Sequence, residues 1–178
     1  MTTTKTNKML KALLLCIGFV MGAALANTAS AQAARKADKD TKNWEYEIEC
    51  AGVGTDGTYL VKVWSYSKKA NVALDQAKKN AVHGIVFKGF AGGGQGCTAQ
   101  KPLASSPAIE QEKADFFDLF FADNGKYMKY VGSSGDQVGE RMKVGKEYKV
   151  GVIVSVQKEA LRKDLEAAGI IKGLSSGF

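Results

Sequence analysis

The first readable element is an alternation of apolar and polar positions. In "WEYEIEC", Trp44, Tyr46, Ile48 and Cys50 fall on one side, and Glu45, Glu47 and Glu49 on the other. That period of two predicts a half-buried strand. "GVGTDGT" follows with Asp56-Gly57 as a hairpin signal, and "YLVKVWSYS" returns as a second strand rich in β-branched and aromatic residues. The period then changes. From Asn71, placed as an N-cap, "VALDQAKKNAVHGIVFKGF" repeats Ala73, Ala77 and Ala81 every four residues beside Leu74, Val82, Ile85 and Val86. This predicts a helix lying close on a sheet, with Lys78, Lys79 and Lys88 on its wet side.

"IEQEKADFFDLFFA" predicts a second helix, Asn124-Gly125 a turn, and "KYMKYV" a third strand. "SSGDQVGERMKVGKE" reads as loop, with room for a short strand around Arg141 to Val144. "YKVGVIVSVQ" then aligns Tyr148, Val150, Val152, Val154 and Val156 on one face. "KEALRKDLEAAG" is an amphipathic helix with Ala160, Leu161, Leu165 and Ala168 inward, and Gly169-Ile170 as its C-cap. The predicted order is β-β-α-α-β-β-α, an α+β fold with helices packed on one face of an antiparallel sheet.

The first 33 residues have a different character. Lys5, Lys8 and Lys11 precede the apolar run "ALLLCIGFVMGAALA", which closes on "NTASAQA". Basic start, short apolar core and small-x-small cleavage site make a secretory signal peptide. Its core falls short of the roughly 18–20 residues of a membrane span. Leu15 stands before Cys16, where a lipidated cysteine would follow a small residue. The expected organisation is a signal peptide over 1–33, a flexible lead-in over 34–43, a single domain over 44–172 and a tail over 173–178.

Charge changes the picture only slightly. The chain carries 25 basic and 18 acidic residues, and loss of the leader's three lysines would leave 22 against 18. A surplus that small, without basic clustering, does not point to nucleic acid. The expected mature protein is soluble and exported, in the periplasm or at the outer membrane, with no integral span. There Cys50 and Cys97 could form one disulfide, closing a loop worth about 3–4 kcal/mol on the chain-entropy model. Cys50 could equally be an ordinary buried thiol, since it shares a face with core aromatics.

Several candidate chemistries weaken on inspection. "FKGFAGGGQGCTAQKPL" concentrates Gly92, Gly93, Gly94 and Gly96, but it follows a helix, and Lys101 stands apart with Pro102 behind it. A phosphate-binding loop has the reverse order and ends in Gly-Lys-Ser/Thr. The stretch reads as a connector. His83 is the single histidine, read as a helix-surface residue. One histidine and two scattered cysteines do not make a zinc set, and only a Cys97–His83 dyad is conceivable. No catalytic residue, metal or cofactor is assigned.

The densest apolar run is "DFFDLFFADNGKYMKYV". Phe117, Phe120 and Phe121 can pack on the sheet with Phe116 partly covered, or the run can leave an uncovered patch that marks a partner surface. The partner-binding candidates are Phe116, Phe117, Phe120, Phe121, Tyr127 and Tyr130.

"IECAGVGTDG", "ALDQAKKNAV" and "YKVGVIVSVQKEALRKDLEAAGI" together resemble the N-terminal domain of the flagellar assembly protein FlgT and the lipoprotein-20 family. The resemblance covers about 65 residues, over roughly 44–57, 71–88 and 147–170. Departures are the missing lipidation site, the second strand before the helix, and the aromatic insertion from about residue 91 to 131. The resemblance implies a non-enzymatic envelope role and carries over no functional residue. Two functions follow as expectations. One is a structural or assembly component docking a larger envelope complex through the aromatic segment. The other is a binding module for a small ligand or envelope polymer, using the Gly-rich loop with Tyr127, Tyr130 and Lys101.

Overall fold

The computed structural model describes residues 44–93, 96–132 and 138–173. The expected leader, the lead-in and the tail beyond Gly173 lie outside the described residues, as do Gly94 and Gln95 of the Gly-rich stretch. Strand β1 (Tyr46–Val53) and strand β2 (Tyr59–Ser67) form the expected hairpin, with Gly57 in the left-handed region at φ 75°. Helix α1 (Ala70–Phe87) follows. Two short helices, α2 (Ile109–Glu112) and α3 (Ala114–Phe120), lead to a 3₁₀ turn over Lys126–Tyr130. Strands β3 (Val131–Gly132), β4 (Val138–Val144) and β5 (Glu147–Val156) and helix α4 (Lys158–Ala167) complete the chain.

The sheet runs β1-β2-β5-β3, and β4 pairs the other half of the same β5 edge; every pairing is antiparallel. The α+β class and its approximate order are as the sequence predicts. Helix α1 lies across the inner face of β2 and β5. Ala73, Ala77 and Ala81 are fully buried there, against Val61, Val63, Val150, Val152, Val154 and Val156. Alanines one turn apart let the helix approach the sheet, while β-branched residues fill the pleated surface opposite. Gly84 carries this furthest, since a Cβ there would stand 2.6 Å from Ile48 Cδ1.

The outer face is solvated. Lys62, Trp64 and Tyr66 of β2 lie between the glutamates of β1 and Lys149 of β5. Trp64 is sealed there by position. Its ring lies over cross-strand Gly151, where a Cβ would meet it at 2.7 Å, and Lys62 and Lys149 sit 4.3 and 5.0 Å from its centroid. Its indole N–H donates to Glu49 at 2.9 Å.

Four local expectations are corrected. Helix α1 starts at Ala70 with Lys69 as N-cap rather than Asn71. The single helix expected over 109–122 breaks at Lys113, whose φ −117° and ψ 34° leave helical space. "KYMKYV" is mostly a 3₁₀ turn. Tyr127 and Tyr130, three apart, both point inward, as side chains eclipse at that spacing. Finally, β4 is a full strand although Met142 and Val144 are exposed. Main-chain pairing with β5 holds it, so burial leaves no alternation in its sequence. Its hairpin turns at Gly145, φ 59°.

Helix ends are closed by glycine. Gly169, φ 67°, donates to the Glu166 carbonyl and Ile170 to that of Leu165, so two otherwise unpaired carbonyls of α4 are satisfied. Ala168, expected inward, is exposed.

Candidate functional site

The aromatic segment turns inward. Phe117, Phe120, Phe121, Tyr127 and Tyr130 are all buried, and Phe116 is half-buried. They form a continuous ring contact. Phe117 stacks on Phe121 at 6.0 Å and meets Phe87 of α1 edge-on at 5.0 Å, while Phe120 stacks on Tyr130 at 5.9 Å. Of the six candidates for partner contact, only Phe116 keeps a substantial solvent face. Leu119, not singled out in the sequence, is 75% exposed beside it. Phe116, Phe120, Lys126, Tyr130, Asp164 and Ala168 line a groove of about 330 Å³ between α3 and α4. Tyr130 Oη and Lys129 Nζ both donate to Asp164, each at 2.7 Å. The Lys129 bond leads in holding the Asp164 carboxyl below its ordinary range, and burial holds the Tyr130 phenol above its own.

The Gly-rich stretch is stapled. Cys50 and Cys97 form a disulfide with Cα atoms 6.0 Å apart, which resolves the alternative of a buried thiol. Phe90 and Gln100 exchange main-chain hydrogen bonds at 3.0 and 2.9 Å and close the loop at its base. Gly89, φ 66°, makes this possible, since a Cβ would lie 2.2 Å from the Gln100 carbonyl oxygen. Beyond it, Leu103 and Ala104 donate to the carbonyls of Ile85 and Val86 and dock the chain along α1. The disulfide, the β1–β2 turn, Phe90 and Gln100 line an open cavity of about 220 Å³. Tyr59 Oη donates to Gln100 Oε1 at its wall.

The feature that the sequence concealed is a polar stripe along α1. Gln76, Asn80 and His83 recur on its buried side, and Lys79, expected wet, is buried as well. Asn80 donates to Ser65 of β2 at 2.9 Å. Gln76 Oε1 and Asn80 Oδ1 have no donor among the described residues. His83, expected on the surface, is 3% exposed. Its ring stacks on Trp44 at 3.5 Å with 17° between planes, and Phe87 and Phe121 lie 4.8 and 5.6 Å away. Nδ1 lies 2.6 Å from Tyr46 Oη, and Nε2 3.1 Å from Glu110 Oε1.

A carboxylate only accepts, so Nε2 carries the proton and Nδ1 accepts from the tyrosine. Burial leads in holding the imidazole below its ordinary pKa, against the pull of Glu110. Lys88 Nζ sits 3.7 Å over the Tyr46 ring and reaches the carbonyls of Trp44 and Tyr46 at 3.3 and 3.4 Å. Alternating polar and apolar positions on one helix face read as wet surface. Their burial comes from other elements, namely Ser65 of β2 against Asn80, Tyr127 of the 3₁₀ turn against Lys79, and Trp44, Tyr46 and Phe121 around His83, none of which the periodicity of α1 encodes.

The Cys97–His83 dyad does not form, because Cys97 is bonded to Cys50 and His83 is held by Tyr46 and Glu110. No group of three or more His, Cys, Asp or Glu side chains suited to a metal occurs among the described residues. No described helix is long and apolar enough to cross a membrane. Comparison of the chain with protein-family models, curated proteins and solved structures gives no match.

Proposed function

We propose that this chain is an exported, non-enzymatic component of the bacterial cell envelope, in the periplasm or at the outer membrane, that docks a larger envelope complex. The observation carrying this reading is the Cys50–Cys97 disulfide. Such a bridge persists in oxidising compartments, which agrees with the leader-like pattern of residues 1–33 and with the resemblance to FlgT and lipoprotein-20 domains. The commitment of His83 to Tyr46 and Glu110, and of Cys97 to the bridge, favours binding over nucleophilic chemistry. The burial of Phe117, Phe120 and Phe121 moves the docking face to Phe116, Leu119 and the rim of the α3–α4 groove. That groove has aromatic walls and a Lys126/Asp164 rim, suited to an apolar side chain of a partner protein.

Replacing Phe116 and Leu119 by serine should abolish recovery of the partner after in-cell cross-linking while the far-ultraviolet circular dichroism stays unchanged. Undiminished recovery contradicts this docking face. Tyr127→Ser, by contrast, tests packing, because that ring is buried.

The cavity beside the disulfide supports a second reading, a binding module for a small ligand or envelope polymer. A rise in melting temperature with sugars or peptidoglycan fragments, lost in Gln100→Ala, is its expected mark.

A further inference from the structure

We propose that His83 is a proton-operated latch. Neutral, it fastens the start of β1 and the segment 109–121 to α1; protonated in mild acid, it releases that segment. The inference rests on three elements meeting at one imidazole. Tyr46 comes from β1 and Glu110 from α2, while Trp44, in the left-handed region at φ 47°, lies flat on the ring. The titratable and charged groups facing this cluster are the Tyr46 phenol, the Glu110 carboxylate and, from the end of α1, the Lys88 ammonium. Phe87 and Phe121 close the remainder with apolar surface.

The neutral ring satisfies every partner. Nε2–H donates to Glu110, and Nδ1 accepts from Tyr46. A second proton lands on Nδ1, against the Tyr46 hydroxyl. That oxygen can turn to accept, but its own hydrogen then finds no acceptor among the described residues. It cannot leave as a proton either, because burial holds the phenol far above its ordinary range. The Lys88 charge further disfavours an imidazolium, and only Glu110 favours it. A charge so enclosed is relieved by opening the contact that excludes water.

The sign follows from linkage. The closed form binds the proton less tightly than the opened form, in which His83 regains its ordinary pKa. Above about pH 6.5 the latch is indifferent to pH. Below it the opened-to-closed ratio rises by up to about tenfold per pH unit, until the lowered pKa of the closed form is reached. Histidine is the side chain that ordinarily changes charge in this range, and this chain has one. Release would uncover Phe117 and Phe121, so any docking through this segment would become acid-dependent.

The test is amide exchange of the full chain at pH 7.5 and 5.5, corrected for intrinsic rates, with the single imidazole followed by NMR. Protection of the amides over 114–121 should be lower than that of β2 and β5 at both values, and should fall by up to about tenfold in acid. The fall should begin below about pH 6.5, while the imidazole of the closed majority is still neutral, and should level off where that imidazole takes up its proton. His83→Gln should flatten the profile. Should that variant not fold, Glu110→Gln removes the group that assists the proton and should extend the pH-dependent range further into acid. Equal protection in segment and sheet, a pH-independent segment, a His83 imidazole that takes up its proton at or above about pH 6.5 in the folded chain, or an unchanged Glu110→Gln profile each overturns the latch.

Discussion

The sandwich of β1, β2, α1, β5 and α4 and the excursion over residues 88–132 bury their apolar groups in different ways. In the sandwich, small and branched residues repeat at the period of their element, so burial is shared among many equivalent contacts. In the excursion, α2, α3 and the 3₁₀ turn are short and out of phase with one another. Their burial is concentrated in a few large rings and in discrete ties, namely the disulfide, the Phe90–Gln100 pairing and the His83–Glu110 bond. A surface held by many small contacts yields as a unit. One held by a few ties can open separately, and each tie carries its own sensitivity to redox, backbone geometry or pH.

The largest losses are expected at the buried rings. Phe117→Ala should cost about 3–5 kcal/mol of packing, and Leu161→Ala in the sandwich about 2–5 kcal/mol. Denaturant unfolding should register the full loss for Leu161→Ala. For Phe117→Ala, part of the loss should appear only as easier opening of the excursion, read by limited proteolysis near residues 109–130.

Next comes the staple. Cys50→Ser with Cys97→Ser should lower the unfolding free energy by about 4 kcal/mol on the chain-entropy estimate for a separation of 47 residues, measured by guanidinium titration. A loss well below about 2 kcal/mol would mean that the loop is held without it.

Gly89→Ala should cost more than about 1 kcal/mol, because φ is 66° and the new Cβ would meet the Gln100 carbonyl. The check is a lowered melting temperature together with faster amide exchange at Phe90 and Gln100. The smallest effect belongs to the outer face. Glu47→Ala should cost under about 1 kcal/mol, although Lys149 and Tyr66 both donate to that carboxylate. Those bonds, Lys149 first, lower the Glu47 pKa. Their contribution is therefore present above the ordinary glutamate range and lost as pH falls through the lowered value, so the difference in melting temperature between parent and variant should narrow as thermal scans move from pH 7 into acid.

The same contrast explains what could be read from the sequence. Period two in "WEYEIEC" and "YKVGVIVSVQ", and the four-residue alanine repeat of α1, are local records of which side is buried, and they placed the sandwich. In the excursion the record is not local. Tyr127 and Tyr130 share a side because a 3₁₀ turn brings every third residue round, and β4 is held by main-chain bonds that ask nothing of its side chains. His83 belongs to both regions. It sits on a helix face that looks wet until Trp44, Tyr46 and Phe121 close over it, so neither its burial nor its partners could be found from the spacing of α1 alone. The abundance of phenylalanine was visible, but its direction was not, since an inward ring cluster and an outward patch have the same composition.

The most direct test of separate opening is native-state amide exchange at pH 7.5 across a series of sub-denaturing guanidinium concentrations. Amides over 114–130 should exchange through an opening with lower free energy and weaker denaturant dependence than those of Val61, Val63, Val152 and Val154. A single common isotherm for both sets would contradict it, and would make the excursion part of one indivisible core.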